Sequence, residues 1–348
     1  MGGERGGRAR ERLAAVQDRL TSGGFGLAWA GVCRLPEPVA YRLFDLIADG
    51  TYRRGGADVE RLRANYARVR PELSPAQLEP LVREGLRSYM RYWCEAFRLP
   101  TLSPERIMTG VRAVGDEPVR ERLAAGGSVV CFLGHLGNWD SAGAWASRDL
   151  APVTTVAERL EPEELFARFL AFREGLGMTI LPLTGGGPVF ETLRERARAG
   201  GALIPLLADR DLTSTGVEVD FVGRRARMAA GPAALALATG AALHPVTMHY
   251  ERHVGGPGGY RLVVTFAPAV EVPELSGGDA ADPQVLRTRT AAMTQACADA
   301  LAEGITAHTA DWHMMQRVFV EDLDPARLPA PQLSTPRADA AIAPSGQD

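Results

Sequence analysis

Residues from about Gly126 onward predict an α/β fold: a central twisted, mainly parallel sheet flanked by helices, with an amino-terminal helical region that faces a membrane. Three observations carry this expectation. Short apolar runs alternate with longer amphipathic stretches from Gly126 to Gly304, the alternation that builds parallel sheets. The first run, Val129–Leu133, is apolar without interruption, as a strand buried on both faces requires. Residues 13–100 show helical rather than strand periodicity.

Taken in order, residues 1–12 are rich in Gly, Arg and Glu and read as a disordered leader. Residues 13–100 read as amphipathic helices packed on the core. Leu27, Trp29, Val32 and Leu35 begin one apolar face, and Tyr41, Leu43, Phe44, Leu46 and Ile47 continue it after the prolines. The α/β core, residues 101–326, holds the candidate strands Val129–Leu133, Val153–Val156, Thr179–Leu183, Leu203–Leu207, Val217–Phe221, Leu243–Tyr250 and Arg261–Phe266. Helices are expected from about Trp139, over Leu165–Leu176, Val189–Ala199 and Ala233–Thr239, and from Gln284 to Gly304, with the last strands pairing antiparallel. Residues 327–348, broken by Pro329, Pro331, Pro336 and Pro344, read as a disordered tail.

The chain has 348 residues and 46% hydrophobic content, enough for a substantial core. Its four cysteines, Cys33, Cys94, Cys131 and Cys297, are scattered, so neither a disulfide framework nor a zinc-cysteine site is suggested. All 39 basic residues are arginine. Residues 1–100 carry 17 Arg against 12 acidic residues, leaving 22 against 30 for the rest, so acidic partners are expected at the amino-terminal third. There, Arg53, Arg54, Arg61, Arg63, Arg68 and Arg70 follow the apolar helix face, a pattern that fits either an anionic membrane surface or an ordinary solvated face. Nucleic acid is not an expected partner. The apolar segment Phe25–Cys33 is far shorter than the roughly 18 residues of a membrane span, and Arg34, Pro36 and Pro38 stand where a signal cleavage site would need small residues. A peripheral protein kept inside the cell is expected.

The chemistry is concentrated in Ser128–Asp140, SVVCFLGHLGNWD. Gly134, Gly137 and Asn138 break the strand and deliver His135 and Asp140 into the turn at its carboxyl end, where open α/β sheets bind ligands. This spacing predicts a general base, His135, oriented by the carboxylate of Asp140. It equally describes a structural histidine capped by a helix-start carboxylate. Cys131 shares the strand face of His135 but lies on the order of 13 Å away along the strand, too far for a Cys/His dyad. Asp209 and Arg210 follow Leu203–Leu207 and should emerge on the same sheet edge as His135. Arg224, Arg225 and Arg227, just before a helix start at Gly231-Pro232, make either an anion site or a solvated basic loop. Gly185–Gly187 lacks the residues of a phosphate loop and reads as a turn. His244 and His249 fall on opposite faces of one strand, which argues against chelation, and His308 with His313 is the remaining histidine pair.

The run HLGNWD resembles the signature of bacterial acyltransferases with a histidine and an aspartate separated by four residues, the family of the lipid A lauroyl transferases, and in particular its actinobacterial phosphatidylinositol mannoside branch. SYMRYWCEAFRLP at Ser88–Pro100, VAERLEPEELFARFLAFREGLGM at Val156–Met178, LLADRDLTSTGVEVDFVGRRARMAAGP at Leu206–Pro232 and TADWHMMQRVF at Thr309–Phe319 support the resemblance in family order. The resemblance implies that His135 is the catalytic base and Asp140 its partner. It also implies functional roles for Glu158, Arg173 and Asp209, to which the local reading adds Arg210 and Arg227 as candidate substrate contacts; a structural ion-pair network is the alternative for each. It implies O-acyl transfer from acyl-coenzyme A to a mannose hydroxyl of a phosphatidylinositol mannoside, at the cytoplasmic face of the plasma membrane. No cofactor beyond the acyl-CoA co-substrate is expected, and no metal. Two rival expectations are a metal-dependent hydrolase on the same fold and a non-catalytic lipid-binding protein.

Overall fold

The computed structural model describes residues 29–158, 163–183, 188–211, 216–274 and 282–323. The expected leader, the expected tail and the Gly185–Gly187 turn lie outside the described residues. Residues 29–34 are helical and lead into α1 (Glu37–Arg54), α2 (Ala57–Val69) and α3 (Pro75–Arg98). The start of α3 is written in its sequence: Ser74 and Gln77 form a reciprocal capping box, and Pro75 sits where its missing N–H is harmless. A short α4 (Pro104–Thr109) then precedes the sheet.

The strands are β1 (Val111–Val114), β2 (Val129–Leu133), β3 (Val153–Ala157), β4 (Met178–Pro182), β5 (Leu203–Leu207), β8 (Ala242–Arg252) and β9 (Tyr260–Phe266), in the spatial order β1-β9-β8-β2-β5-β3-β4. The stretch from β8 to β4 is parallel, β9 runs antiparallel to β8, and β1 is parallel to β9. Every residue of β2 is buried, which accounts for its unbroken apolar composition.

Between the strands lie α5 (Glu117–Ala124), α6 (Trp139–Asp149), α7 (Glu163–Gly175), α8 (Val189–Ala199) and α9 (Gly231–Thr239), with the long α10 (Pro283–Ala307) after the sheet. Helix α6 covers the sheet face that carries Cys131, Leu133, Pro205 and Leu207. Helices α8, α9 and α10 pack on one another, with α10 against Thr247 on the opposite face. The result is the helix-covered sheet that the alternating pattern predicts.

Two elements differ from expectation. Val217–Phe221 forms a strand, β6, but pairs outside the main sheet in a two-stranded antiparallel hairpin with β7 (Arg224–Met228). The basic string Arg224–Met228 hides its strand character because two of its outward positions are charged. The turn between them, Val222-Gly223, has positive φ at both residues, matching the twist of a tight hairpin. Strand β1 and helix α5 are also additions to the sequence-derived element order.

The helical region is joined to the core by the carboxyl-terminal segment. Asn65 of α2 donates to the carbonyls of Met314 (2.8 Å) and Gln316 (2.9 Å), and the Tyr66 hydroxyl donates to that of Trp312 (2.9 Å). Arg61 and Arg68 pair with Asp322, Arg68 also with Glu321, and Arg63 with Glu60 and Glu79. These arginines are thus committed to the protein's own carboxylates. Open to solvent on this side are Val39, Leu43, Leu46 and Ile47 of α1 together with Arg42, Arg53 and Arg54 of the same helix. No helix among the described residues is long and apolar enough to cross a membrane.

Candidate active site

Strands β2 and β5 are in parallel register with Leu133 opposite Leu207, so the residues two positions further on, His135 and Asp209, leave the sheet side by side. The chain keeps this pairing beyond the strands: Ala208 N–H donates to the Leu133 carbonyl at 2.8 Å. His135 Nδ1 lies 2.5 Å from Asp209 Oδ1, and the His135 backbone N–H donates to Oδ2 at 2.9 Å. The indole N–H of Trp312 donates to the same Oδ2 at 2.9 Å. Asp209 is completely buried, whereas 40% of the His135 side chain is exposed. An Nδ1–H held by a buried carboxylate leaves Nε2 as the unprotonated nitrogen, on the edge of the ring away from Asp209.

The expectation that Asp140 orients His135 is therefore corrected: that carboxylate is Asp209. Asn138 caps α6 by accepting from Ser141 N–H at 2.9 Å, which places Asp140 in the first helical turn. From there its side chain accepts from Arg173 Nε at 2.8 Å and from the Tyr92 hydroxyl at 3.1 Å. The Arg173 guanidinium also lies over the Trp139 ring, 4.1 Å from its centroid. Asp140 and Arg173 are thus a buried pair that ties α6 to α7 and α3. The sequence spacing identified the right turn but could not choose between two carboxylates, one near in sequence and one brought close by strand pairing.

The electrostatics follow from these contacts. Burial disfavours the charged imidazole of His135, but the charge and hydrogen bond of Asp209 outweigh it and raise its pKa above the ordinary histidine value. Burial likewise opposes ionisation of Asp209, yet His135 and the Trp312 donor hold its pKa below the usual carboxylate range. Arg210, half-buried beside Asp209, acts on His135 in the opposite sense to the carboxylate.

The remaining candidates disperse. Glu158 is exposed at the carboxyl end of β3, on the strand-end side of the sheet. Arg227 is buried on β7, where it donates to the Gly216 carbonyl at 2.7 Å. Arg224 is paired with Glu321 and Arg225 with Glu218, both exposed, so these three arginines do not converge on one anion. Cys131 is a buried core thiol whose pKa burial pushes up to about 12. His244 is bonded to the Ala267 carbonyl, and His249 instead stacks on His308, with ring centroids 3.5 Å apart. Among the described residues no three His, Cys, Asp or Glu side chains form a metal-binding group.

Sequence reasoning missed the strap that fixes the His135 turn. Gly137 N–H donates to the Asp311 carbonyl (2.9 Å), and His313 N–H to the His135 carbonyl (2.8 Å); Leu136 pairs with Trp312 as a β-bridge. The Gly137 N–H is therefore already engaged within the protein. Gly137 itself has φ of 56°, and a Cβ there would come within 3.0 Å of Met248 and Leu262, so the turn requires glycine. Behind the strap, Ser88 lies 2.5 Å from Asp311 Oδ1 and 2.9 Å from His313 Nε2, and Glu95 accepts from Asn138 Nδ2 at 3.0 Å and from the Tyr250 hydroxyl at 2.8 Å. The sequence signals for these residues are the segments SYMRYWCEAFRLP, with Ser88 and Glu95, and TADWHMMQRVF, with Asp311, Trp312 and His313, which entered the reading only through the family resemblance.

An apolar cavity of about 50 Å³ runs between α6 and the sheet, lined by Leu133, Trp139, Ala142, Gly143, Met178 and Leu207 among others. Leu133 and Trp139 of its wall lie on either side of His135 in sequence, and a partly exposed imidazole held by a buried carboxylate is an arrangement that suits proton abstraction.

Comparison with known proteins gives the chain a family. Residues 17–321 match the family model described as bacterial lipid A biosynthesis acyltransferase. The chain is 42% identical over 321 residues to the phosphatidylinositol mannoside acyltransferase of Mycobacterium tuberculosis, covering 91% of this chain and 94% of that protein. It is 42% identical over 312 residues to the protein of the same name from Mycolicibacterium smegmatis, covering 89% and 94%. With a match that spans the described sheet, the His135 turn and the strap that holds it, the chain belongs to the bacterial lipid A biosynthesis acyltransferase family.

Proposed function

We propose that this protein transfers a fatty acyl chain from acyl-CoA to a mannose hydroxyl of a phosphatidylinositol mannoside. The observation that carries the reading is the His135–Asp209 pair, with Nδ1 committed to a buried carboxylate and 40% of the His135 side chain exposed. The relatives named for phosphatidylinositol mannoside acyl transfer support the acceptor class.

In this reading the acceptor hydroxyl gives its proton to His135 Nε2 as its oxygen attacks the thioester carbonyl. Asp209 stabilises the imidazolium that forms. The tetrahedral intermediate collapses with cleavage of the C–S bond, His135 returns the proton to the departing sulfur, and the products are the acylated glycolipid and free CoA. The apolar slot under α6 receives the start of the acyl chain, and displacement of the flexible Met178 side chain lengthens it. Asp140 and Arg173 hold the α6 terminus in place and so act on His135 by positioning. Glu158 and Arg210 stand at the strand ends as contacts for sugar hydroxyls and phosphate, and Arg227 supports the hairpin beside them. No cofactor or metal enters these steps. The enzyme works as a peripheral protein at the cytoplasmic face of the plasma membrane, with the exposed apolar residues of α1 toward the anionic bilayer.

The test is transfer of labelled palmitate from palmitoyl-CoA to purified phosphatidylinositol mannosides by wild type and His135→Ala, each with and without chelator. Labelled glycolipid from wild type alone, indifferent to chelator, is expected. An active His135→Ala protein sinks the base mechanism, and a chelator-sensitive wild type moves the reading to a metal-dependent reaction.

A further inference from the structure

A second cavity, of about 330 Å³, opens between α1, α3 and the β8–β9 turn. Its size falls within the roughly 300–1,000 Å³ of small-molecule pockets. Three arginines line it: Arg42 from α1, Arg91 from α3 and Arg252 from β8. Arg91 is only 6% exposed, yet among the described residues no hydrogen bond holds its guanidinium, and its nearest carboxylate, Glu84, is 3.6 Å away. It is held instead by ring faces, its Cζ 3.8 Å from the centroid of Tyr260 and 4.8 Å from that of Tyr250. Arg252 lies 4.1 Å over the same Tyr260 ring. Stacking of this kind satisfies the face of a guanidinium and leaves its in-plane N–H donors available.

The acidic residues of the wall do not cancel this charge. Glu37 is engaged by Arg106 at 2.9 Å and by the Gly258 N–H at 2.9 Å, which leaves Asp45 as the carboxylate facing three arginines. The Glu84 ion pair of Arg91, at 3.6 Å, is too long for a hydrogen bond, so its guanidinium N–H donors stay open to an acceptor brought by a ligand. The face of α1 next to the cavity decides what kind of ligand. Val39, Leu43, Leu46 and Ile47 are 40–67% exposed there and continue into an apolar groove with Leu35, Phe44, Met90, Trp93 and Phe97. Apolar ridge and arginine cavity, one turn apart on a single helix, present the two chemistries of a bilayer surface side by side.

We propose that the Arg42–Arg91–Arg252 cavity binds the phosphate of an anionic membrane phospholipid, separately from the acyl-transfer centre, while the α1 ridge enters the acyl layer. The inference rests on the reading that this face meets a bilayer, but not on the identity of the acceptor. Its function is to fix the height and orientation of the strand-end site relative to the membrane.

The test is sedimentation of the full-length protein with phosphatidylcholine vesicles, with and without phosphatidylinositol, at matched ionic strength. Arg42→Gln/Arg252→Gln is expected to weaken binding to the phosphatidylinositol vesicles about tenfold and to leave phosphatidylcholine binding unchanged. Arg91→Lys, which retains charge but loses the planar fork, is expected to lose the same phosphate-dependent part. The control is Arg53→Gln/Arg54→Gln at the exposed end of α1; an equal loss there means diffuse charge attraction and overturns the site. Wild type that binds both vesicles alike overturns the phosphate site alone, whereas wild type that binds neither overturns the membrane reading as well. Inorganic phosphate that protects the cavity arginines from modification while vesicle binding ignores them would assign the cavity to a soluble phosphate and overturn the lipid source.

Discussion

At His135 two carboxylates have separable duties, and substitution tells them apart. Asp209→Asn keeps the volume but removes the charge that fixes the imidazole, so kcat should fall by about 10²–10⁴-fold. The pH profile supplies a second readout. Because Asp209 raises the His135 pKa, kcat/KM of wild type should climb with pH through a limb above the ordinary value of about 6.5, and the limb should move to lower pH in Asp209→Asn. A limb that stays put in that variant would show that another group sets the profile. Asp140→Asn acts through stability: it leaves the Arg173 guanidinium in a buried site without its counter-charge, which should destabilise the fold by about 3–5 kcal/mol in denaturant unfolding. The turn that carries His135 was legible in the sequence, because Gly134, Gly137 and Asn138 end the apolar strand there, whereas the spacing fitted a base and a structural histidine alike and the family resemblance supplied the choice. The partner of His135 was misassigned because sequence proximity favours Asp140, and only the register of β2 with β5 brings Asp209 alongside.

Among elements, α6 carries the largest functional weight, since one end caps the His135 turn and one face lines the apolar slot. Ala142→Phe, projecting into that slot, should shift acyl-CoA preference toward shorter chains while leaving the pH profile unchanged; a competition assay between octanoyl- and palmitoyl-CoA measures it. The strands of the parallel sheet were readable because burial on both faces demands unbroken apolar runs, and β2 and β5 appear with the expected limits. The β6–β7 hairpin was half-readable. Val217–Phe221 alternates as a strand should, but Arg224 and Arg225 carry β7's charge outward into ion pairs, and a basic string of that kind reads as loop. The Trp312 segment was legible only as part of the family resemblance, and its role as a strap was not, because its backbone contacts to residues 135–137 obey no local pattern.

For the whole molecule, the buried histidines set an acid limit. Burial, with Arg91 and His135 nearby, lowers the His313 pKa to about 3, and burial with His308 lowers that of His249 to about 4. Both are neutral in the folded protein at pH 5, whereas the unfolded chain takes up protons below about 6.5. Stability should therefore fall with pH between 6.5 and these folded values, His313 alone contributing on the order of 2 kcal/mol of loss by pH 5. The His135–Asp209 pair contributes in the reverse sense for its histidine, whose stabilisation is complete at acid pH and fades as pH rises through the raised value. Thermal midpoints at pH 5 and pH 7.5 should differ in favour of pH 7.5, and a difference of the same size in His313→Gln would mean that His313 titrates normally. The same long-range wiring has a consequence for biosynthesis. Asn65 is joined to Met314 across 249 residues, and the carboxylate beneath His135 takes a donor from Trp312. The donor to Asp209 and the strap on the His135 turn both come from residues 311–313, 103 residues beyond that carboxylate in the case of Trp312, so during synthesis the pair acquires its full set of contacts only after that segment has left the ribosome.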